Sequence, residues 1–223
     1  MTAYIFDTEI TGLIDPQLVE AAWLKIESIG TMMVTDDFLL RYRPGKPIEL
    51  GALATSHILD EELIGCPSHE TFALPEDTEY LIGHNVDYDW RVIGQPDVKR
   101  ICTKAFSSLL WPEADTHTQS AMIYLHYRDQ ARGLLQNAHA ALDDVKNCRL
   151  LLVRILDALA VTLGRPVMSW DELWELSEDA RLPRFIGFGK HRGMAVADLP
   201  GDYKQWLLRQ DNVDPYLIKA LKK

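Results

Sequence analysis

AYIFDTEITG, residues 3–12, runs from an apolar stretch into two carboxylates, Asp7 and Glu9. A short apolar run bounded by turn residues reads as a buried strand. In a strand, side chains two apart share a face, so Asp7 and Glu9 point to the same side and can share one cation, while Thr8 points away. Carboxylates delivered to the carboxyl end of a strand stand where α/β folds place ligands. The alternative for FDTEITG alone is a turn or capping role.

Outward from that strand, the pattern keeps alternating. VEAAWLKIESIG, TMMV and FLLRYRP read with the first run as three successive strands, largely antiparallel and separated by Asp-Pro, Asp-Asp and Pro-Gly turns. Short helices are expected at 50–57 and 59–64, a helix or loop at 67–79, and a strand at YLIGH, 80–84. A helix from Asp89, a strand at RICT (100–103), a helix through SSLLWP stopped by Pro112, and a helix over 116–128 follow. The longest helical period runs from His139 to Leu163, with Gly164-Arg165-Pro166 as its terminator. The natural assembly is an α/β fold, a mixed sheet of about five strands flanked by helices.

A third acidic residue of interest, Asp89, follows YLIGH in GHNVDYD. His139 and Asp144 open the long helix in HAALDD. Like charges raise one another's pKa and cost stability, so carboxylates gathered in a fold predict a divalent cation. Taken singly, each has a plainer reading. Asp89 and Asp87 both suit a helix N-terminus, and Asp143 and Asp144 both complement a helix dipole.

Composition narrows the class. The chain has 223 residues, 47% hydrophobic and 25% charged, enough for one good core and a small appended unit. No run reaches the roughly 18 apolar residues of a membrane span, and Met1 leads straight into the first strand without a basic then apolar leader, so a protein neither secreted nor membrane-associated is expected. Cys66, Cys102 and Cys148 are odd in number and widely spaced, which excludes a disulfide framework and a zinc site and fits a reducing cytoplasm. Net charge is −10, but residues 181–223 carry 9 Lys and Arg against 4 Asp and Glu, and residues 1–180 carry 14 against 29. A basic tail on an acidic body leaves a nucleic-acid partner open. A two-fold homodimer is common among such proteins, but no interface is legible.

FDTE, HNVDYD and HAALDD, in this order and about 80 and 50 residues apart, resemble the three motifs of the DEDDh group of 3′ to 5′ exonucleases within the ribonuclease H-like superfamily. GLIDPQLVEAAWLKI, RPGKPIELGALATSHI and RICTKAFSSLLWP extend the likeness over residues 3 to about 163. The tail FIGFGKHRGMAVADLPGDYKQWLL resembles a C-terminal module found on a DNA-degrading member of the group. Three departures are small: Ile10 stands where a polar residue is frequent, Tyr88 replaces the usual Phe, and Ala140 follows the histidine where Arg is frequent.

The resemblance implies a ribonuclease H-like domain over 1–163, a linker with one short helix over 164–184, and a small basic α+β module over 185–223 that binds DNA. It implies hydrolysis of phosphodiesters from DNA 3′ ends to 5′ mononucleotides with two Mg²⁺, for which Mn²⁺ can substitute. Asp7 would bridge both ions, Glu9 and Asp144 would complete one site, Asp89 would hold the other, and His139 would be the general base. An RNA-trimming exonuclease is the alternative, and a catalytically idle nucleic-acid-binding subunit is the alternative of another class. For the substrate, His57 and Asn85 match positions near the terminal nucleotide, and Thr8 and Thr11 offer donors beside the metals. Leu13 is either a wedge under the terminal base or core. Lys190 and Arg192 suit phosphate, and Phe185 or Phe188 suits base stacking. The alternative for the tail is a small cap with solvated charges and buried aromatics. His84 reads as structural. Ser169, three residues before Glu172, reads as the N-cap of the linker helix.

Overall fold

The computed structural model describes residues 2–223, with Met1 outside them. The chain divides into two compact units, one ending at Ser177 and one formed by Glu178–Lys223. In the first unit, β1 (Ala3–Ile10), β2 (Leu18–Ile26), β3 (Val34–Arg41), β4 (Tyr80–Gly83) and β5 (Lys99–Cys102) form one sheet in the order β3-β2-β1-β4-β5. β1, β2 and β3 pair antiparallel, and β1, β4 and β5 pair parallel, so the expected mixed five-stranded sheet is present.

β1 lies at the centre of this sheet because its apolar residues have nowhere else to go. Ala3, Tyr4, Ile5 and Phe6 are all at most 2% exposed. Tyr4 and Phe6 pack with Leu18, Trp23, Tyr42 and Leu81, and burial of each large side chain stabilises by about 1.5–3 kcal/mol. β4 can run tightly beside β1 because it ends in glycine. A Cβ on Gly83 would sit 3.0 Å from the Phe6 carbonyl oxygen and 3.2 Å from the Val86 Cβ. That close approach sets the end of β4 beside Phe6, one residue before Asp7.

The helices are α1 (Leu50–Ser56), α2 (Asp87–Val92), α3 (Thr103–Leu110), α4 (Gln119–His126), α5 (Ala131–Leu134), α6 (Ala141–Leu163), α7 (Trp170–Ala180), α8 (Gly201–Leu207) and α9 (Pro215–Lys222). The segments at 60–63 and 69–71 are 3₁₀ turns. α6 packs on β1 and β2 with Val145, Cys148, Leu151, Leu152 and Ile155 buried, and Gly164 ends it in the left-handed conformation at φ 70°. Its start differs from the sequence expectation. The helix begins at Ala141, and His139 lies before it in a turn, at φ 69°. The apolar spacing that suggested helix from His139 onward carries no information about a left-handed residue. Likewise α2 begins at Asp87 rather than Asp89.

α7 crosses the boundary between the units. Its first turn is capped as expected, the Ser169 hydroxyl accepting from the Glu172 amide at 3.1 Å, while the Glu172 carboxylate accepts from the Met168 amide. In the second unit the β component is one bridge pair, Phe185 with Ala195, beside α8 and α9. Pro215 opens α9, and the Asp214 carboxylate accepts from the Tyr216 and Leu217 amides. No helix among the described residues is long and apolar enough to cross a membrane.

Candidate metal-dependent active site

β1 presents Asp7 and Glu9 on the face covered by α6, and α6 brings Asp144 to them. Carboxylate oxygens of Asp7, Glu9 and Asp144 all lie within 4.8 Å of one another. Asp144 is oriented by two residues: its carboxylate accepts from the His139 amide at 3.0 Å and from Gln119 Nε2 at 3.1 Å, and the same Gln119 nitrogen also donates to the Asp144 carbonyl. Asp143, one residue earlier, turns elsewhere. It pairs with Lys146 at 3.1 Å and accepts from Asn137 at 2.9 Å.

Asp89 is 6% exposed and reaches the end of β1 from α2. It is not within the group of three. One of its oxygens accepts from both the Thr8 amide and the Thr8 hydroxyl, at 3.1 and 2.6 Å. Thr8, read from the sequence as pointing away, therefore holds one of the acidic residues from the other side of the strand. Asp87 is committed to an ion pair with Arg100, whose guanidinium lies 3.8 Å from the Trp90 ring centroid. That pairing separates Asp87 from the site.

Burial and mutual repulsion raise every one of these carboxylates. Asp7 is held well above the ordinary carboxylate range by burial first, then by Asp89 and Asp144. Glu9 is pushed up to about 8 by burial, then by Asp144 and Glu20. Burial takes Asp89 to about 6 against the opposing pull of the Thr8 hydrogen bonds. Burial also raises Asp144, opposed by the His139 amide and imidazole and by Gln119. Such a field holds protons or cations. The donor set is all oxygen, which suits a hard divalent ion such as Mg²⁺ or Mn²⁺, and the residues fit it.

Glu20 is the residue that sequence reading missed. It stands opposite Glu9 in the β1–β2 register and is 4% exposed. Its carboxylate accepts from Arg41 Nε at 3.0 Å and from the Ala141 amide, the first of α6, at 3.2 Å. β2 thus clamps the start of the helix that carries Asp144. A lone Glu inside the apolar run LVEAAWLKI was the available signal.

The remaining expected residues are dispersed. The His139 side chain is exposed, and only its amide touches Asp144. Leu13 is 79% exposed, so it is no core residue, and Ile14 beside it is equally exposed. Thr11 is fully buried and its hydroxyl accepts from the Gln17 amide, which withdraws it from solvent. His57 and Asn85 are exposed with left-handed backbone, φ 58° and 75°. His84 is structural as expected: its Nε2 lies 2.8 Å from the His117 carbonyl and its Nδ1 3.0 Å from the Thr103 hydroxyl, and burial lowers its pKa to about 4. Lys190 and Arg192 lie exposed in the second unit, with Phe185 and Phe188 also exposed.

No protein-family model matches the chain. Exodeoxyribonuclease 10 of Escherichia coli (strain K12) is 28% identical to it over 225 residues, covering 98% of this chain and 96% of that protein. Among solved structures, exonuclease X in complex with 5′ overhanging duplex DNA aligns at a TM-score of 0.54 and 22% identity, over 77% of this chain and 99% of that one. Escherichia coli exonuclease I in complex with a dT13 oligonucleotide aligns at 0.55 and 17%, over 73% of this chain and 42% of that one. A 3′-exonuclease that recognises a histone mRNA stem-loop aligns at 0.55 and 14%, over 70% of this chain and 81% of that one. The chain thus resembles exodeoxyribonuclease 10 along nearly its whole length and has the ribonuclease H-like fold.

Proposed function

We propose that this chain is a 3′ to 5′ exonuclease of the DEDDh type, dependent on divalent metal, that hydrolyses phosphodiester bonds at DNA 3′ ends and releases 5′ mononucleotides. The observation that carries this reading is the convergence of Asp7, Glu9 and Asp144 within 4.8 Å at the end of β1, in a chain that resembles an exodeoxyribonuclease over 98% of its length.

Asp7, Glu9 and Asp144 would hold one cation, and Asp89, with Asp7 shared, a second. Divalent cations bound there supply Lewis-acid polarisation of the phosphodiester and a lowered pKa for attacking water. The chain's own residues do the rest. Thr8 and Gln119 fix the carboxylates before substrate arrives, so little reorganisation remains at the moment of reaction. His139, on an exposed turn tied to Asp144 through its amide, takes the proton of the attacking water as general base. Leu13, exposed just past Gly12, packs under the terminal base, while His57 and Asn85 contact the terminal nucleotide. Residues 185–223 grip the strand through Lys190 and Arg192.

Incubation of the protein with 5′-labelled DNA and RNA strands of equal sequence, with Mg²⁺ or with EDTA, tests the proposal. A metal-dependent ladder on DNA is expected. A ladder on RNA alone would make the enzyme an RNA trimmer, and no metal-dependent shortening of either strand would leave a binding subunit.

A further inference from the structure

The unit from Glu178 to Lys223 builds its core from aliphatic side chains, Ile186, Val196, Leu199, Leu207, Leu217 and Leu221. Tyr203 packs against that core, but three large rings are left on the outside: Phe185, Phe188 and Trp206 are 61%, 47% and 51% exposed. Rings bring more apolar area per residue than any other side chain, so a small core that omits them has placed them for another purpose or wasted them.

Trp206 is not loose. It stacks on Tyr203, one turn earlier in α8, with ring centroids 5.3 Å apart and planes at 25°. The turn Gly189–Gly193 folds against that same Tyr203: the His191 ring lies 4.4 Å from it and Lys190 Nζ 5.4 Å from its centroid. Gly189 permits this closeness, since at φ 64° it takes a backbone that favours glycine and a Cβ there would stand 3.3 Å from Tyr203 Oη. One ring of the pair is thus held by the turn, and the other turns half its surface to solvent.

Charge indicates what would cover it. Residues 178–223 carry 9 Lys and Arg against 6 Asp and Glu, whereas residues 1–177 carry 14 against 27. Lys204 and Arg209 lie within three residues of Tyr203 and Trp206 in sequence, and the turn that packs on Tyr203 brings Lys190 and carries Arg192. A flexible polyanion that presents flat π faces meets both features at once, and that is a single-stranded nucleic acid.

We propose that the Tyr203–Trp206 pair is a base-stacking platform for a single strand, with Lys190 beside it for the phosphate backbone. This rests on the reading that residues 185–223 grip the substrate, and it names the surface and the chemistry of the grip. A rigid ring already held in a stack loses little conformational entropy when a base lies on it.

The test is equilibrium binding of the full-length chain in EDTA, so that no turnover intrudes, to an oligothymidylate and to an abasic strand of equal length. Trp206→Ala is expected to weaken oligothymidylate binding about 5-fold or more and to leave the abasic strand unaffected, and Trp206→Phe to restore most of the loss. The same loss is expected on oligouridylate, because stacking reads the base and not the sugar. Equal losses on base-bearing and abasic strands, a loss on only one of the two base-bearing strands, or no loss at all would overturn the platform. Failure here is separable from failure of the exonuclease reading: if the Trp206 variants meet these binding expectations while the wild-type chain never shortens a strand in Mg²⁺, the platform stands and the activity is lost.

Discussion

The Thr8 hydroxyl and the Thr8 amide both donate to one oxygen of Asp89, at 2.6 and 3.1 Å. A residue lying between two acidic side chains on β1 therefore anchors a third acidic side chain from α2. Thr8→Val keeps the shape and removes one donor from a buried carboxylate. The expected cost is about 1.5–3 kcal/mol, the range for a hydrogen bond to a charged group, read as a lower urea midpoint in metal-free buffer at neutral pH. An unchanged midpoint would mean that the hydroxyl contributes nothing to holding Asp89.

Asp143 and Asp144 give a paired test of which acid serves the site. Asp144→Asn preserves an acceptor for the His139 amide while removing a charge from the group of three, so turnover should be abolished with strand binding largely intact. Asp143→Asn loosens a surface pair with Lys146 and should leave turnover within a few-fold of wild type. Single-turnover rates and binding measured on both variants decide it. Equal losses would refute the assignment of Asp144.

The metal-free protein should become less stable as pH rises above neutrality. A carboxyl group whose pKa is higher in the folded chain than in the unfolded one keeps its proton longer when folded, so stability falls with pH between the two values. Asp7 stands well above the ordinary range and Glu9 at about 8, so the loss begins in the ordinary carboxylate range and, for Glu9, continues to about pH 8. His84 works in the opposite sense, its folded pKa of about 4 making stability rise with pH up to about 6.5, so the window above 6.5 isolates the acids. Thermal unfolding in EDTA across that window should show a falling midpoint, and Mn²⁺ should reverse the trend by binding the ionised carboxylates. A midpoint that rises with pH in EDTA would contradict the clustering.

Glu20 ties β2 to the first amide of α6, and its loss should be felt one turn away at Asp144. Glu20→Ala leaves the buried Ala141 amide without its acceptor, a cost of about 1–3 kcal/mol, and lets the helix start drift. The turnover rate should fall about tenfold or more with KM little changed, and Glu20→Gln, which retains an acceptor, should recover most of it. A loss expressed in KM alone would mark Glu20 as a substrate contact instead.

How far the sequence carries depends on what each feature requires. β1 is legible because an apolar run ending in Asp-x-Glu states both its burial and its direction, and the sheet follows from the turns between later runs. The motif resemblance picks Asp144 over Asp143 and Asp89 over Asp87, but local chemistry does not; the physical reason lies in partners elsewhere in the chain, Gln119 for Asp144, Arg100 for Asp87 and Thr8 for Asp89. Glu20 stands out as a lone Glu in LVEAAWLKI, but its partners are not legible because strand register is not written in a single strand. The start of α6 is misread because a histidine at φ 69° leaves no compositional trace, unlike a glycine. The Tyr203–Trp206 stack depends on a turn from another segment closing over one ring, which no local pattern announces.

Salt dependence separates the charged part of the grip from the stacked part. Each phosphate neutralised by a Lys or Arg contributes about 0.7 to the slope of log affinity against log salt on a single strand and about 0.9 on a duplex. Lys190→Ala with Arg192→Ala should therefore lower that slope by about 1.4 on a single strand and weaken binding at low salt more than at high salt. Trp206→Ala should shift affinity at every salt concentration and leave the slope alone, because stacking releases no counterions. Titrations of both variants against one oligonucleotide from low to high salt check this. A parallel shift for the double variant would mean that Lys190 and Arg192 are merely solvated surface, and a changed slope for Trp206→Ala would mean that its loss disturbs the turn holding Lys190 over Tyr203.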